Sequence, residues 1–505
     1  MTEKPTLPVP LNAHKTQHAV LTDPNRIGTA GTSLPVPNPT TSFWQTEPLN
    51  ESSVSIGVNE EWTDDVDICI IGSGITGVSA AYHLSKIFAQ DGSLSPDEPV
   101  KTVILDAREF CNGATGRNGG HLTATGYDGF VSRSAKHGLP NALREAYLQE
   151  HTVNSLVQLI KDEHLSDAVD LVSGGFVYVF FIDEEEHNAK EDVAAALNAG
   201  FAVRRVEWLT KEQMEQEYGT PYPGIRLPGN NLWPRKLIQA LHALTLRRSP
   251  PTRFTLSIHT FTPVTSITPI SDEESTKIRK RRWNVNTPRG TITSSYILHA
   301  TNAYVSHLLP HLHGPEGVIP GRGQIMATRA SVGRLPLTAF GANEGFEYWF
   351  PRPLKSQADV DNERPLVILG GGREAAERYE LYETDDSKVD EELSRTMKRF
   401  LPAVFPGKFE EGKEPEMEWS GIMGFTKTGD PLVGPVVDPN DTSDVDQYEG
   451  QYICAGFSGH GMPRAFACAE AVAGMIANDI MIAGGSKEKW TPPSWIPLHY
   501  LTRNE

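Results

Sequence analysis

The hydrophobic pattern of this chain starts late. Through about Trp62, apolar residues are scattered among Pro, Thr, Ser and Asn with little periodicity. That predicts an arm or loosely packed extension over residues 1–62 rather than a domain. Phe43 and Trp44 in "SFWQTEP" are its expected docking anchors on the body. From Val66 the texture changes. "VDICIIG" is a continuous apolar run of strand length. "SGITGVSAAYHLSKIFA" carries a helical period, with Val78, Ala81, Tyr82 and Leu84 among its packing residues, and "TVILD" is a second buried strand. The polar insertion "QDGSLSPDEPVK" lies between helix and strand, so the pattern predicts a β-α-β unit with a loop before its second strand.

Farther along, "LREAYLQEHTVNSLVQLIKDEH" predicts a long amphipathic helix. "LVSGGFVYVFFID" predicts a strand or hairpin bent at Gly174 and Gly175, and "EEEHNAKEDVAAALNAG" a helix stopped by Gly200. "LWPRKLIQALHALTL" is helical, "FTLSIHTFTPVTSI" a pair of strands, and "WNVNTPRGTITSSYILHATNAY" a hairpin feeding a last apolar strand. A β-rich region follows "PGRGQIMA" to about Trp419, broken by a helix near "DEELSRTMKRFL". "YICAGFSGHGMPRAFACAEAVAGMIAND" then reads as strand, glycine turn and helix.

A length of 505 residues allows two or three domain-sized units, or one large domain interleaved with another. With 38% hydrophobic and 22% charged residues the chain reads as soluble and globular, and a net charge of −18 argues against nucleic acid or an anionic membrane as its main partner. The basic run "KIRKRRW", residues 277–283, is expected at a solvated hairpin tip. No apolar run approaches a membrane span, the first residues lack the apolar core of a secretory signal, and "LTRNE" is not the peroxisomal tripeptide, so the expected location is cytoplasmic. Cys69, Cys111, Cys454 and Cys468 form no CxxC pair and are expected as small apolar thiols in a reducing compartment. His311 and His313 lack a third ligand nearby, so no metal site is expected.

The chemistry is concentrated in three places. Gly72-Ser73-Gly74-Ile75-Thr76-Gly77 is a GxGxxG that opens a helix directly after a buried strand, the context a dinucleotide fingerprint requires. Gly72 permits the tight turn, Gly74 lets backbone approach a pyrophosphate, and Gly77 lets helix and strand pack closely. Asp106 ends the second strand, where a carboxylate can accept from an adenosine ribose; both NAD and FAD use this unit. The second place is "CNGATGRNGGHL", with Gly113, Gly116, Gly119 and Gly120 among small side chains. Such a tract can lie flat against a large planar ligand, with Arg117 and Asn118 in reach of a phosphate or ring edge. The third is "AGFSGHGM", where Gly456, Gly459 and Gly461 leave room for a ring system, His460 is a possible donor, and a helix N-terminus follows.

"IIGSGITGVSAAYHL", "LDAREFCNGATGRNGGHL" and "AGFSGHGM" together resemble the FAD-dependent D-amino-acid oxidase superfamily, which includes glycine oxidase and monomeric sarcosine oxidase. The resemblance covers roughly residues 66–479, and the "GATGRNGGHL" wording is most similar to the gamma-glutamylputrescine oxidase branch and its fungal relatives. It implies an α/β fold (α+β overall), with a discontinuous Rossmann-like FAD-binding domain interleaved with a β-sheet-rich substrate domain. The implied FAD pieces are residues 63–130, 223–312 and 421–485. A cap or substrate region follows at 131–222, the substrate domain at 313–420 and a tail at 486–505. The implied FAD-binding residues begin with Gly72, Gly74, Ile75, Thr76 and Gly77, then Asp106, Ala107 and Arg108. They continue through Gly113, Ala114, Thr115, Arg117, Asn118, Gly119, Gly120 and His121. Val264 of "TPVTSI" is implied at the adenine, and Gly456, Gly459, His460, Gly461 and Met462 at the flavin. Asn302 replaces the glycine usually written in the "ATG" of "LHATNAY".

Sarcosine oxidases carry a cysteine for covalent flavin attachment where this chain has residues near Met423, so noncovalent FAD is expected. The implied reaction is oxidation of a C–N bond of an amine or amino acid, with dioxygen reduced to peroxide. The alternatives are a flavin dehydrogenase or secondary-metabolism tailoring enzyme using another acceptor, a nicotinamide dehydrogenase, and a noncatalytic FAD-binding protein. Candidate catalytic residues are Tyr348 of "GFEYWFPRP", Arg373 of "LVILGGGREA", and His460. Trp349 either walls a pocket with Tyr348 or fills the sheet, and Gly323 and Gln324 of "GRGQ" match a structural turn. A lysine that binds carboxylate in sarcosine oxidases is replaced by Pro463, with Arg464 beside it, which favours a larger amine over a small N-methyl amino acid.

Overall fold

The computed structural model describes residues 6–503, apart from 24–31, 48–56, 58–60, 91–97, 204, 249, 251, 272–278, 355–363 and 441–446. Most of the polar insertion within the β-α-β unit and the start of the basic run therefore lie outside the described residues. In the arm, α1 (His14–Leu21) is a short helix. The β-α-β unit follows as β1 (Asp65–Ile71), α2 (Ile75–Gln90) and β2 (Val100–Leu105). Every residue of β1 after Asp65 is buried, as its unbroken apolar run requires of a central parallel strand.

Two eight-stranded sheets organise the chain. In the first, β1 runs parallel to β2 on one side and to Gly290–His299 on the other. Beyond these, Phe254–His259 adds in parallel to β2 and Gln451–Ala455 to Gly290–His299. Helices α2, Pro234–Arg248 and Ala465–Ala483 share one apolar core with this sheet. The helix Ala465–Ala483 is, against expectation, long and apolar enough by composition to cross a membrane; two thirds of it is buried, with Phe466, Ala473 and Ile476 in the core. The second sheet is mostly antiparallel and runs from Met417–Phe425 through Ile319–Arg329, Leu366–Gly370, Glu347–Pro351 and Ala339–Ala342 to Phe176–Val179, Gly224–Leu227 and Glu207–Leu209.

Three expectations need correction. Strand Gly224–Leu227 pairs with Phe176–Val179 in the second sheet, and Met417–Phe425 pairs along its length with Ile319–Arg329. Two borders of the first-sheet pieces therefore fall after Leu227 and after Phe425, not at 223 and 421. The basic run is not a solvated tip: Arg281 is buried and forks onto Asp65 at 2.8 Å and 2.9 Å while reaching Asp67 at 2.8 Å, and Arg279 also bonds Asp67. These guanidinium groups pair with acids at the start of β1, which a reading of local charge misses. Among its described residues the arm is not loosely packed either. Trp44 is completely buried, and its ring meets Phe43 and Trp233 edge-on or tilted at about 5 Å.

Candidate active site

A long cavity opens at the C-terminal ends of the parallel strands, where open α/β sheets bind ligands. It holds about 1540 Å³ free of protein atoms, part of it open to solvent. The first sheet contributes the turn after β1, the end of β2, Val264 and Asn302, and the second contributes Gly323, Ile325, Tyr348, Gly421 and Met423.

At one end, Gly72 has φ of +113°, and a Cβ there would lie 2.6 Å from the Ala300 carbonyl oxygen; one on Gly77 would lie 2.0 Å from the Gly72 carbonyl oxygen. Gly77 serves helix packing and does not line the cavity. The backbone N–H groups of Gly74 and Thr76 have no hydrogen-bond partner among the described residues, while that of Ile75 donates to Thr115 Oγ1 at 3.0 Å. Free donors at the positive end of α2 make an anion cradle. Asp106 lines the same wall. Its Oδ2 accepts from Ser73 N–H and Oγ–H at 2.9 Å and 2.6 Å, and its Oδ1 from Arg108 N–H at 2.9 Å. Burial raises its pKa against those hydrogen bonds. Orphaned donors for phosphate and a carboxylate across the turn fit the nucleotide part of FAD.

Ala107, Gly113, Ala114, Thr115, Asn118 and Val264 line the wall. Arg108 and Arg117 also border it, but their guanidinium groups are spent elsewhere. Arg108 pairs with Asp386 through two bonds of 2.8 Å and 2.6 Å. Arg117 donates to Ser420 O at 2.7 Å, Asn112 Oδ1 at 2.9 Å and Thr40 Oγ1 at 2.7 Å. The expected reach of Arg117 to a phosphate or ring edge gives way to this buried network, since a guanidinium this enclosed needs its donors satisfied.

Gly119, Gly120 and His121 lie behind the wall. A Cβ on Gly119 would be 2.2 Å from Tyr348 Cε2, and one on Gly370 would be 2.3 Å from Tyr348 Cζ, so two glycines form the slot that holds the Tyr348 ring. His121 meets that ring edge-on at 5.5 Å and 88°, and burial lowers its pKa to about 4, leaving a neutral imidazole as support. Tyr348 itself lines the cavity, its phenol pushed up to about 12 by burial. Trp349, on the opposite face of the strand, stacks on Phe340 at 5.2 Å and belongs to the core.

At the far end Gly459, Gly461 and Met462 line the cavity, with Met423 Sδ 3.7 Å from a Cβ built on Gly459. Gly456 and His460 do not. His460 keeps accessible surface but lies deep among the surrounding elements, with Nδ1 3.1 Å from Ser458 O and its pKa lowered by burial and by Arg464. Asn302 adopts φ of +46°, a conformation glycine takes freely and Asn tolerates. Its Oδ1 accepts from Gly456 N–H at 2.9 Å and Phe457 N–H at 3.3 Å, so the replaced glycine is exchanged for a tie on the flavin-end turn.

Arg464 bonds Glu145 Oε1 at 2.9 Å and Gly429 O at 3.1 Å and is not among the cavity-lining residues. Arg373 is different. Its guanidinium sits between the rings of Phe346 and Phe425 at 4.7 Å and 5.0 Å, and has no ion pair to a carboxylate among the described residues. With the Gln17 amide in the orientation that satisfies both groups, its oxygen accepts from Arg373 at 2.5 Å and 3.1 Å. Burial lowers the Arg373 pKa to about 10, opposed by Glu374, Tyr348 and Glu347. Glu347 and Glu374 escaped the sequence reading: both are buried, and Asn343 Nδ2 donates to them at 2.9 Å and 3.3 Å. A charged residue at an inward position of an apolar strand was the signal.

The turn expected at Gly323 and Gln324 is instead the middle of strand Ile319–Arg329, where Gln324 Nε2 donates to Asp390 O, Ser394 Oγ and Glu418 Oε1. His137, Asp430 and His499 also meet, with the imidazoles 3.3 Å and 3.6 Å from the carboxylate. Their rings stack at 3.8 Å and 8°, so the ring lone pairs run side by side rather than converging on one point.

Searches for similar solved structures return the same fold. Glycine oxidase from Geobacillus kaustophilus matches with 18% identity and a TM-score of 0.58, over 82% of this chain and 95% of that one. Iminodiacetate oxidase from Chelativorans sp. BNC1 matches with 16% identity and 0.57, over 81% and 95%. L-alpha-glycerophosphate oxidase from Mycoplasma pneumoniae, with FAD bound, matches with 13% identity and 0.58, over 82% and 95%. No curated protein sequence gives a significant match. The profile of the DAO family, FAD dependent oxidoreductase, matches residues 67–475. With a match of that extent over a cavity whose turn, acid and bare tract suit a dinucleotide, the chain belongs to the DAO family of FAD-dependent oxidoreductases, and FAD is its cofactor.

Proposed function

We propose that the protein oxidises a C–N bond of an amine or amino acid that carries an anionic group, using noncovalently held FAD. When bound, FAD supplies the acceptor for hydride from the carbon next to nitrogen and passes the electrons on to dioxygen, giving peroxide. The observation that carries the reading is Arg373, a half-buried cation behind the cavity wall that interacts electrostatically with Tyr348 and has no carboxylate paired to it among the described residues. A buried charge is costly unless paired, so a substrate carboxylate has a ready partner there, one the neutral amide of Gln17 only partly replaces. Tyr348, fixed in its glycine slot, gives an orienting wall. Neighbouring structures that act on glycine and iminodiacetate favour the C–N chemistry; the one that acts on glycerophosphate keeps an anionic substrate in common. None of the four cysteines lines the cavity, which supports noncovalent attachment.

The test is anaerobic mixing of the yellow protein with a panel of amines and amino acids. Bleaching of the flavin by anionic amines, with peroxide formed once air is admitted, is the expected result. Bleaching without peroxide would point to another electron acceptor, and no bleaching by any amine would defeat the proposal.

A further inference from the structure

We infer that the N-terminal arm is part of the cofactor site: residues 32–46 form a strap across its outer wall, and FAD loads or leaves only when the strap lifts. The inference rests on FAD occupying the cavity described above. Ser33, Leu34 and Pro35 line that cavity together with Asp106 and Ala107, so one wall of the site belongs to the arm. The strap is fastened at intervals on both sides of this wall. Thr32 Oγ1 meets Ser306 Oγ at 2.8 Å, and the Val36 carbonyl accepts from Arg108 Nε at 2.8 Å. Thr40 N–H donates to the Asp386 carbonyl at 2.7 Å, and Thr40 Oγ1 accepts from Arg117 and from Ser420 N–H at 3.0 Å. Ser42 Oγ donates to the Gly116 carbonyl at 2.7 Å, and Trp44 Nε1 to the Asn118 carbonyl at 2.5 Å.

The fastenings go to the glycine tract itself. Arg117 in that tract and Arg108 just before it are turned outward to the strap and to Asp386 instead of inward to a phosphate. The strap is therefore tied directly to the tract that walls the cavity. A ligand lying along the tract is held between the β-α-β unit and the arm, and its exchange rate is set by undocking of the strap.

The test places cysteines at Thr32 and Ser306, whose side chains already touch, and follows release of FAD by the fluorescence of the free cofactor. The four native cysteines are buried and leave the new pair as the reactive one. With the disulfide confirmed by mass, the oxidised variant is expected to release FAD roughly tenfold or more slowly than the same protein reduced, because the strap can no longer lift. Equal rates in the two states would overturn the strap while leaving FAD as the cofactor. If the pair does not oxidise, Thr40→Ala with Ser42→Ala, which loosens two fastenings, is expected to speed release roughly tenfold; an unchanged rate would equally overturn it. Flavin that stays with the acid-precipitated chain would remove both noncovalent attachment and the strap's role.

Discussion

Gly119→Ala is the sharpest perturbation the site offers. The added methyl would stand 2.2 Å from Tyr348 Cε2 and 2.7 Å from Cδ2, well inside the optimal carbon–carbon separation of roughly 3.5–4.0 Å. The ring has nowhere to retreat on its other side, where the Gly370 backbone is so close that a Cβ would reach Tyr348 Cζ at 2.3 Å. His121 holds the ring's edge at 5.5 Å, which leaves the cavity as its exit. Overpacking of this kind costs about 1–3 kcal/mol, and a displaced phenol competes with the flavin for the same space. Affinity for FAD should therefore fall by roughly tenfold to a hundredfold. The assay is titration of apoprotein with FAD by fluorescence quenching, in single and paired variants. Tyr348→Phe should not rescue, since Cε2 remains, whereas Tyr348→Ala should abolish the penalty of Gly119→Ala. Unchanged affinity in Gly119→Ala, or a penalty undiminished without the tyrosine ring, would refute the slot.

Other predictions test separate parts of the account. Arg373→Gln should raise KM for anionic amines by roughly a hundredfold, in line with about 2–3 kcal/mol for a charged hydrogen bond, and leave neutral amines nearly untouched; equal losses for both would show that the residue is merely structural. Asn302→Ala gives up two hydrogen bonds and places a less tolerant residue at positive φ, so thermal unfolding should show a loss of about 2 kcal/mol, with Asn302→Gly losing less. Burial lowers His83, His121 and His299 to about 4 in the folded protein, against about 6.5 unfolded. The unfolded chain therefore takes up protons first, and stability is lost as pH falls from about 6.5 towards 4, by up to about 1.4 kcal/mol per pH unit for each histidine. A urea midpoint as high at pH 5 as at pH 7 would contradict this.

How far the sequence could be read depended on whether a residue's partner was near in the chain. The β-α-β unit was legible because an apolar run, three spaced glycines and a strand-ending acid all act locally. Asn302 was visible as a departure, but its use of Oδ1 to tie Gly456, 154 residues away, was not. Arg117 read naturally as a phosphate ligand within a glycine tract, but Ser420, 303 residues away, takes its Nε–H, and Asp386, 278 residues from Arg108, claims that cation. The same blindness misplaced the basic run, whose acids Asp65 and Asp67 stand more than 200 residues earlier. The residues "EYWFP" left open whether Trp349 walls a pocket with Tyr348 or fills the sheet; in the paired strand the two face opposite ways and Tyr348 alone of them meets the cavity. The arm gave no periodic signal, since it holds on through backbone carbonyls and single polar side chains rather than through an apolar stripe.

The most direct measurement is an experimental structure of the FAD-loaded protein. The account predicts the pyrophosphate on the N–H groups of Gly74 and Thr76, the adenosine beside Asp106 and under Leu34, and the ring system at the end of the cavity lined by Tyr348, Met423 and the Gly459 turn. Flavin density elsewhere, or a ring system that does not meet the Tyr348 end of the cavity, would contradict it.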